Sequence, residues 1–277
     1  MENKLIGYCH LIVFLGVISL LCSCGNFSKP KKSRILTYNV AYCRSNGENK
    51  SFDQKNIDEI ADVIKTLNPD LVALQELDSA CKERNYRFLL EKINDATGAN
   101  YQMVYGSAEK YNHGTIGCGV LIHPRFNILQ YKKIPLPGNE GRICVSVELD
   151  EFIFMSTHLD LNDSLREESC RIILKEISKY KKPVFLAGDL NDSHRWNSGF
   201  AKVLNSQMHL LSTEEYTLSD KDNHSTIDYI LGSSSSIEKF MITDTKALRN
   251  LKVGNRMKDL TYVSDHLPVY VDIEEIR

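Results

Sequence analysis

Eight residues of this 277-residue chain have the types needed at one reacting centre: Asn39, Glu76, His158, Asp189, Asn191, Asp228, Asp265 and His266. Asn39, Glu76, Asp189, Asn191 and Asp265 offer only oxygen ligands, which suit Mg²⁺, Mn²⁺ or Ca²⁺ better than zinc. His158 and His266 add groups that titrate near neutral pH. Each stands in a short polar string: Tyr38-Asn39, Gln75-Glu76, Thr157-His158-Leu159-Asp160, Gly188-Asp189-Leu190-Asn191, Ile227-Asp228 and Ser264-Asp265-His266. A single Asp-x-Asn makes an ordinary turn. Six such strings, almost all placed where an apolar run ends, describe a constructed site.

The apolar runs are strand candidates that could deliver these strings. Ile35 to Val40 is rich in β-formers, and Leu71 to Leu74 and Pro183 to Ala187 read as strands covered on both faces. Tyr101–Tyr105, Gly119–Ile122, Ile143–Leu149, Phe152–Thr157, Ile227–Leu231 and Pro268–Ile273 supply further strands. Ile57, Ile60, Ala61, Ile64 and Leu67 recur at helical spacing before Asn68-Pro69. Phe88 to Ala96 reads as a second helix. Ser164 to Tyr180 reads as the longest, with Asp163 as its N-cap. Ser193–Ser225 and Thr243–Tyr262 are polar and weakly patterned, and read as substrate-side loops. A helix, a proline, an apolar strand and a carboxylate recur around Glu76 and again around Asp189. Two such units can stack sheet to sheet with helices outside.

The order Asn39, Glu76, His158, Asp189-x-Asn191, Asp228, Asp265-His266 resembles the endonuclease/exonuclease/phosphatase superfamily over about residues 34–273. The resemblance implies a four-layer α/β/β/α sandwich with the DNase I-like fold. It also implies metal-dependent hydrolysis of a phosphoester, with Mg²⁺ or Mn²⁺ as cofactor. Glu76 with Asn39 would hold the metal, and Asp265 would be a second ligand or act through water. His266 would be the general base or the electrostatic partner of the attacking water, with Asp228 fixing its tautomer. Asp189 and Asn191 would position that water and the scissile phosphate, and His158 would donate to a phosphate oxygen. Whether Asp189 or His266 takes the proton stays open. Arg142 and Arg166 match family arginines and are candidates for substrate contact. Gly114 to Gly119 resembles a family loop. Trp196 stands beside the Asp189 turn, where it would stack on substrate or pack the rim.

Outside the domain, Lys4 and the apolar run Leu11–Leu21 read as a signal segment too short to span a bilayer. Leu21-Cys22-Ser23-Cys24 resembles a lipobox with Cys24 as the acylated residue; cleavage elsewhere or an uncleaved anchor are the alternatives. The division is then 1–23 signal peptide, 24–33 lipidated Cys and tether, and 34–277 catalytic domain. The expected location is the cell envelope, periplasm-facing or on the outer membrane, with a lipid anchor into the membrane. Of eight cysteines, five remain after Cys24 with no close-spaced pair, and one pair is open to bridging.

Composition narrows the substrate. Hydrophobic residues at 42% and charged residues at 25% are ordinary for a globular chain, and a net charge of −2 gives little grip on duplex DNA. Lys246, Arg249, Lys252, Arg256 and Lys258 do cluster before Asp265. The Thr-His-Leu context of His158 resembles sphingomyelinase, inositol-phosphatase and deadenylase-like branches of the superfamily. The leading expectation is an exported monomer acting on a lipid headgroup, sugar or inositol phosphate. A secreted nuclease, with nucleic acid as substrate only, is the alternative. A lipoprotein that only binds a phosphorylated ligand is a third reading, of another class.

Overall fold

The structure is a computed structural model, which describes residues 31–46, 52–192, 202, 204–220, 222–223 and 225–276. The signal segment, Cys24, the tether up to Pro30 and Trp196 lie outside the described residues.

Two six-stranded sheets stack face to face. In the first, β11 (Phe240–Ala247), β14 (Val269–Glu275), β1 (Lys32–Asn39), β2 (Leu71–Ser79), β4 (Gly114–Ile122) and β3 (Gln102–Tyr111) lie in that order. The second runs β5 (Ile128–Leu136), β6 (Arg142–Leu149), β7 (Ile153–His158), β8 (Val184–Asp189), β10 (Asp228–Ser233) and β9 (Met208–Leu210). Each sheet has a central parallel pair, β1 with β2 and β7 with β8, entered through a helix. Helices α1 (Gln54–Leu67) and α2 (Leu89–Thr97) cover the first sheet, and α3 (Asp163–Ile177) covers the second.

The strands alternate between two apolar environments, which is why their sequences look continuously hydrophobic. In the first sheet, Leu36, Tyr38, Val72 and Leu74 face the helices, where they pack with Ile57, Ile60 and Ile64. Ile35, Leu71 and Ala73 point the other way, into a core between the sheets shared with Val145, Phe154, Phe185 and Ile230. A third core joins α3, through Cys170, Ile173, Leu174 and Ile177, to Met155 and Leu186. Three apolar layers between four structural layers make the expected α/β/β/α sandwich.

Helix boundaries follow their caps. Asp53 accepts from the Asn56 amide at the start of α1, and Asn68 closes it in the left-handed region, with its amide on the Ile64 carbonyl. At α3 the capping residue is Asn162, which accepts from the Ser164 and Leu165 amides, and the expected Asp163 is the first helical residue. The helix ends at Ile177, three residues earlier than its apolar pattern suggests.

Other departures share one cause: edge and hairpin strands carry little apolar alternation. Thr243–Tyr262 is no loop but contributes most of β11 and then a hairpin of β12 (Asn250–Val253) and β13 (Arg256–Asp259). Exposed β5 gave no strand signal. Gly114–Gly119 is not a loop but the first half of β4. β1 starts at Lys32, inside the expected tether, because Lys32 and Ser33 pair with Glu274 and Ile273 of β14. Cys43, Cys81, Cys118, Cys144 and Cys170 are all buried and free, so no two of them are bridged in this structure.

Candidate active site

The strand ends converge at one pole of the sandwich. Asn39 ends β1, His158 ends β7, Asp189 ends β8 and Asp228 begins β10. The register sets His158 beside Asp189 and Asp189 beside Asp228, so three adjacent strands present three reactive groups in a row. Asp265 and His266 arrive on the segment before β14. That segment is held by the Ser219 amide on the Asp265 carbonyl and the Leu267 amide on the Thr217 carbonyl. Part of the weakly patterned 193–225 stretch is therefore a strut for the site.

Local backbone distortions aim the side chains. Glu76 sits where β2 slips register against β4 between Leu74 and Leu77, and takes φ +53°. A bulge of this kind turns one residue out of the strand's alternation. Gly188 lets β8 approach β7, since a Cβ there would lie 2.0 Å from the Thr157 carbonyl oxygen. After Asn39, Ala41, Tyr42 and Cys43 take φ values of 45°, 55° and 51°, a left-handed turn costing about 1–2 kcal/mol per residue. Asn39 Oδ1 accepts from the Ala41 amide at 3.1 Å, and Arg87 donates to the Tyr42 carbonyl. Arg87 is held on buried Asp78, which also pairs with Arg84, and the Arg84 guanidinium lies 3.8 Å from the Tyr42 ring centre. Strain retained under so many constraints marks functional regions.

At the centre lies Asp189, 1% exposed. Its Oδ1 accepts from the Asn191 amide at 2.9 Å and its Oδ2 from Asn39 Nδ2 at 3.0 Å. The same Oδ2 is 3.4 Å from His158 Nε2 and 3.6 Å from His266 Nε2. Asn191, at φ +53°, donates Nδ2 to the Leu159 carbonyl and lies 3.0 Å from His158 Nε2. His158 Nε2 is then the acceptor, which leaves Nδ1–H as the ring's donor. His266 Nδ1 is 2.8 Å from Asp228 Oδ2, and Asp228 Oδ1 is buried without a hydrogen-bond partner among the described residues.

The two imidazoles are pushed apart. Burial lowers His158 to about 4, against the pull of Asp189, so the ring is neutral at neutral pH. Burial also disfavours charge on His266. The Asp228 and Asp189 carboxylates and the Asp228 hydrogen bond outweigh it and raise His266 to about 10. Glu76 is raised above the usual carboxylate range by burial, with the Asn39 hydrogen bond opposing and Asp265 adding repulsion.

The cluster fits a divalent cation chemically. Glu76, Asp189, Asp228 and Asp265 are four carboxylates, and His266 is the one group among these site residues that carries positive charge. The ligating atoms of Asp189, Asp228 and His266 lie within 4.8 Å of one another, yet Asp228 and His266 are bound to each other. Glu76 is the poorly compensated, half-buried carboxylate, and hard oxygen donors match magnesium or manganese. Asn39 does more than the expected ligand role asks. Its NH₂ faces Glu76 Oε1 at 3.1 Å and Asp189, so it orients both carboxylates. Its oxygen accepts from the Ala41 amide and keeps a second lone pair.

The two arginines separate. Arg142 lines the same narrow pocket as Tyr42, Glu76 and His158; its buried Nε makes no hydrogen bond among the described residues and lies 3.6 Å from Asp160, with Glu140 3.6 Å from an Nη. Arg166 is turned inward, away from the expected substrate contact. It is 4% exposed, its Nη atoms bond the Asp160 and Leu161 carbonyls, Asp163 and Asp192, and its buried Nε has no partner among the described residues. Arg166→Ala is expected to cost about 2–4 kcal/mol in urea unfolding, with kcat per folded molecule little changed. Tyr42, Asp78, Arg84 and Arg87 were not legible as site residues. The one available signal was Asp78 as a charged residue inside an apolar strand.

Carboxylates, amides and two imidazoles at one end of stacked mixed sheets define a hydrolase of the α/β-sandwich class. The sequence pattern of the Endonuclease/Exonuclease/phosphatase family matches residues 36–266. The chain belongs to that family, whose enzymes act on phosphoester bonds. No curated protein matches the sequence.

Solved structures share the fold. A family member from Bacteroides thetaiotaomicron is 17% identical, covers 90% of this chain and 100% of its own, and has a TM-score of 0.68. A mannosyl-6-phosphatase from Bacteroides thetaiotaomicron VPI-5482 is 19% identical over 87% of this chain and 98% of its own, with a TM-score of 0.66. The catalytic domain of human Nocturnin, with bound sulfate, is 19% identical over 90% and 94%, with a TM-score of 0.65.

Proposed function

We propose that the protein is an exported, lipid-anchored, metal-dependent phosphoesterase acting on a small phosphorylated group such as a lipid headgroup, a sugar phosphate or an inositol phosphate. The observation that carries this reading is the Asp189 carboxylate, fixed on both oxygens and flanked by a neutral and a charged imidazole. A neutral and a charged imidazole beside one carboxylate leave the carboxylate as proton acceptor and the charged ring as its electrostatic partner.

Each residue's part follows from its contacts. Asp189 orients the attacking water and accepts its proton, since His266 is already charged against Asp228. The His266 imidazolium stabilises negative charge growing on the phosphoryl oxygens. Asn191 fixes Asp189 and His158, and Asn39 keeps Glu76 and Asp189 apart and aligned. Arg142, which lines the adjoining pocket with its Nε 3.6 Å from Asp160, would contact the phosphorylated substrate. Glu76 and Asp265 would hold a divalent cation, which polarises the phosphoryl group and stabilises the leaving oxygen.

The substrate reading rests on charge and on one relative. Arg249 is engaged with the Ser219 carbonyl and Lys258 with Asp62, so of the basic cluster only Lys246, Lys252 and Arg256 stand exposed. That is a thin surface for a duplex. The mannosyl-6-phosphatase relative acts on a phosphorylated sugar.

The test is a substrate panel on residues 25–277: bis-p-nitrophenyl phosphate, sugar phosphates, inositol phosphates, sphingomyelin and plasmid DNA. Hydrolysis of small esters that stops in EDTA and returns with Mg²⁺ or Mn²⁺ is expected. Cleavage of DNA alone would favour the nuclease, and binding without turnover would favour a phospho-ligand-binding protein.

A further inference from the structure

The chain enters the domain at the pole opposite the candidate active site. β1 begins at Lys32, whose side chain pairs with Glu274, and ends at Asn39 in the site. Lys31 is already fixed, because its carbonyl accepts from the Glu275 amide and its side chain pairs with Glu151. At ~3.3 Å per residue, the seven steps of β1 separate the entry point from the site by about 23 Å. The other site residues lie at the same pole as Asn39, at the ends of β7 and β8 and the start of β10.

The tether is short by the same measure. From Cys24 to Lys31 there are seven residue steps, which span at most about 25 Å when fully extended. Bringing the site to the anchoring bilayer would require that segment to run stretched along the full height of β1. A chain confined to its contour length gives up nearly all of its conformational entropy, and nothing at the base releases Lys31 to lengthen it.

We propose that the catalytic mouth faces away from the membrane that anchors the protein, so that its substrates are water-soluble phosphoesters and not headgroups of that same membrane. This rests on the anchor at Cys24 argued above, and narrows the substrate class of the same site. The rival orientation would lay the exposed Leu161, beside the site, on the bilayer.

The test uses full-length acylated protein in phosphatidylcholine–phosphatidylglycerol vesicles carrying a nitroxide on the lipid headgroup. A fluorophore is placed at Leu161→Cys, beside the mouth, or at Met241→Cys, which pairs with Glu274 at the base; the native described cysteines are buried. Strong quenching at position 241 and little at 161 is expected, together with hydrolysis of a soluble ester and sparing of the vesicle lipids. Equal or stronger quenching at 161, or hydrolysis of the vesicle's own phospholipid at the rate of the soluble ester, would overturn the orientation. Protein that fails to sediment with vesicles, like a Cys24→Ser control, would overturn the anchor and the orientation with it. Quenching reads orientation even if no ester is turned over, so failure of the phosphoesterase reading shows up separately.

Discussion

His266→Ala lowers kcat/KM for a small phosphoester by about 10³-fold, the range for loss of a charged donor or acid–base group in the transition state. The substitution removes the one imidazole that is 2.8 Å from a fully buried carboxylate and 3.6 Å from Asp189. Asp228→Asn separates its charge from its position. With the largest attractive partner neutralised, the His266 pKa falls from about 10 towards its ordinary 6.5, a shift that imidazole NMR on metal-free protein reads directly. The stability linkage has a definite sign. Because the folded value is raised, the pair's contribution is complete below pH ~6.5 and is lost as pH rises through about 10. Wild type and Asp228→Asn therefore converge in stability across that window. A His266 pKa unmoved by the substitution would mean that the short Asp228 contact does not set its charge.

Glu76→Gln abolishes turnover, by about 10³-fold or more, and at the same time raises the melting temperature of metal-free protein. Both effects come from one feature. Burial, with repulsion from Asp265 and Asp189, lifts the Glu76 carboxyl above its ordinary value, against the Asn39 hydrogen bond and the His266 charge. The folded chain then binds this proton more tightly than the unfolded chain. This carboxyl's own contribution to metal-free stability is greatest below pH ~4.5 and falls as pH rises through the raised value, and the Gln variant lacks that fall. Melts in EDTA at pH 4 and pH 7 check this. A destabilised Gln variant at pH 7 would show that the carboxylate is well compensated without an ion. Activity and stability pulling in opposite directions at one residue is the expected signature of a site built for a ligand.

The elements that carry the site were legible because the sandwich forces them to be. Strands covered on both faces, such as Leu71–Leu74 and Val184–Ala187, are unbroken apolar runs, and polar strings end them where the pole opens. What failed was local chemistry set by tertiary neighbours. Residue type marks Asn39 as an oxygen donor, and nothing in its spacing shows that its NH₂ also bridges Glu76 and Asp189. Arg166 was read as a substrate contact, but its position one turn into α3 puts it over the Asp160 and Leu161 carbonyls. The brace of Asp78, Arg84 and Arg87 under Tyr42 joins residues from three segments, and nothing in their spacing announces it. The polar β11 and β12–β13 strands were hidden because exposed edges do not alternate.

The central claim is that this acidic pole is a divalent-metal phosphoesterase centre. Manganese titrated into EDTA-stripped protein, with calorimetric binding and bis-p-nitrophenyl phosphate turnover read on the same samples, tests it most directly. Turnover is expected to rise in step with occupancy, and Glu76→Gln to lose both. Full turnover in excess chelator, or a Gln variant that turns over like wild type, would contradict it.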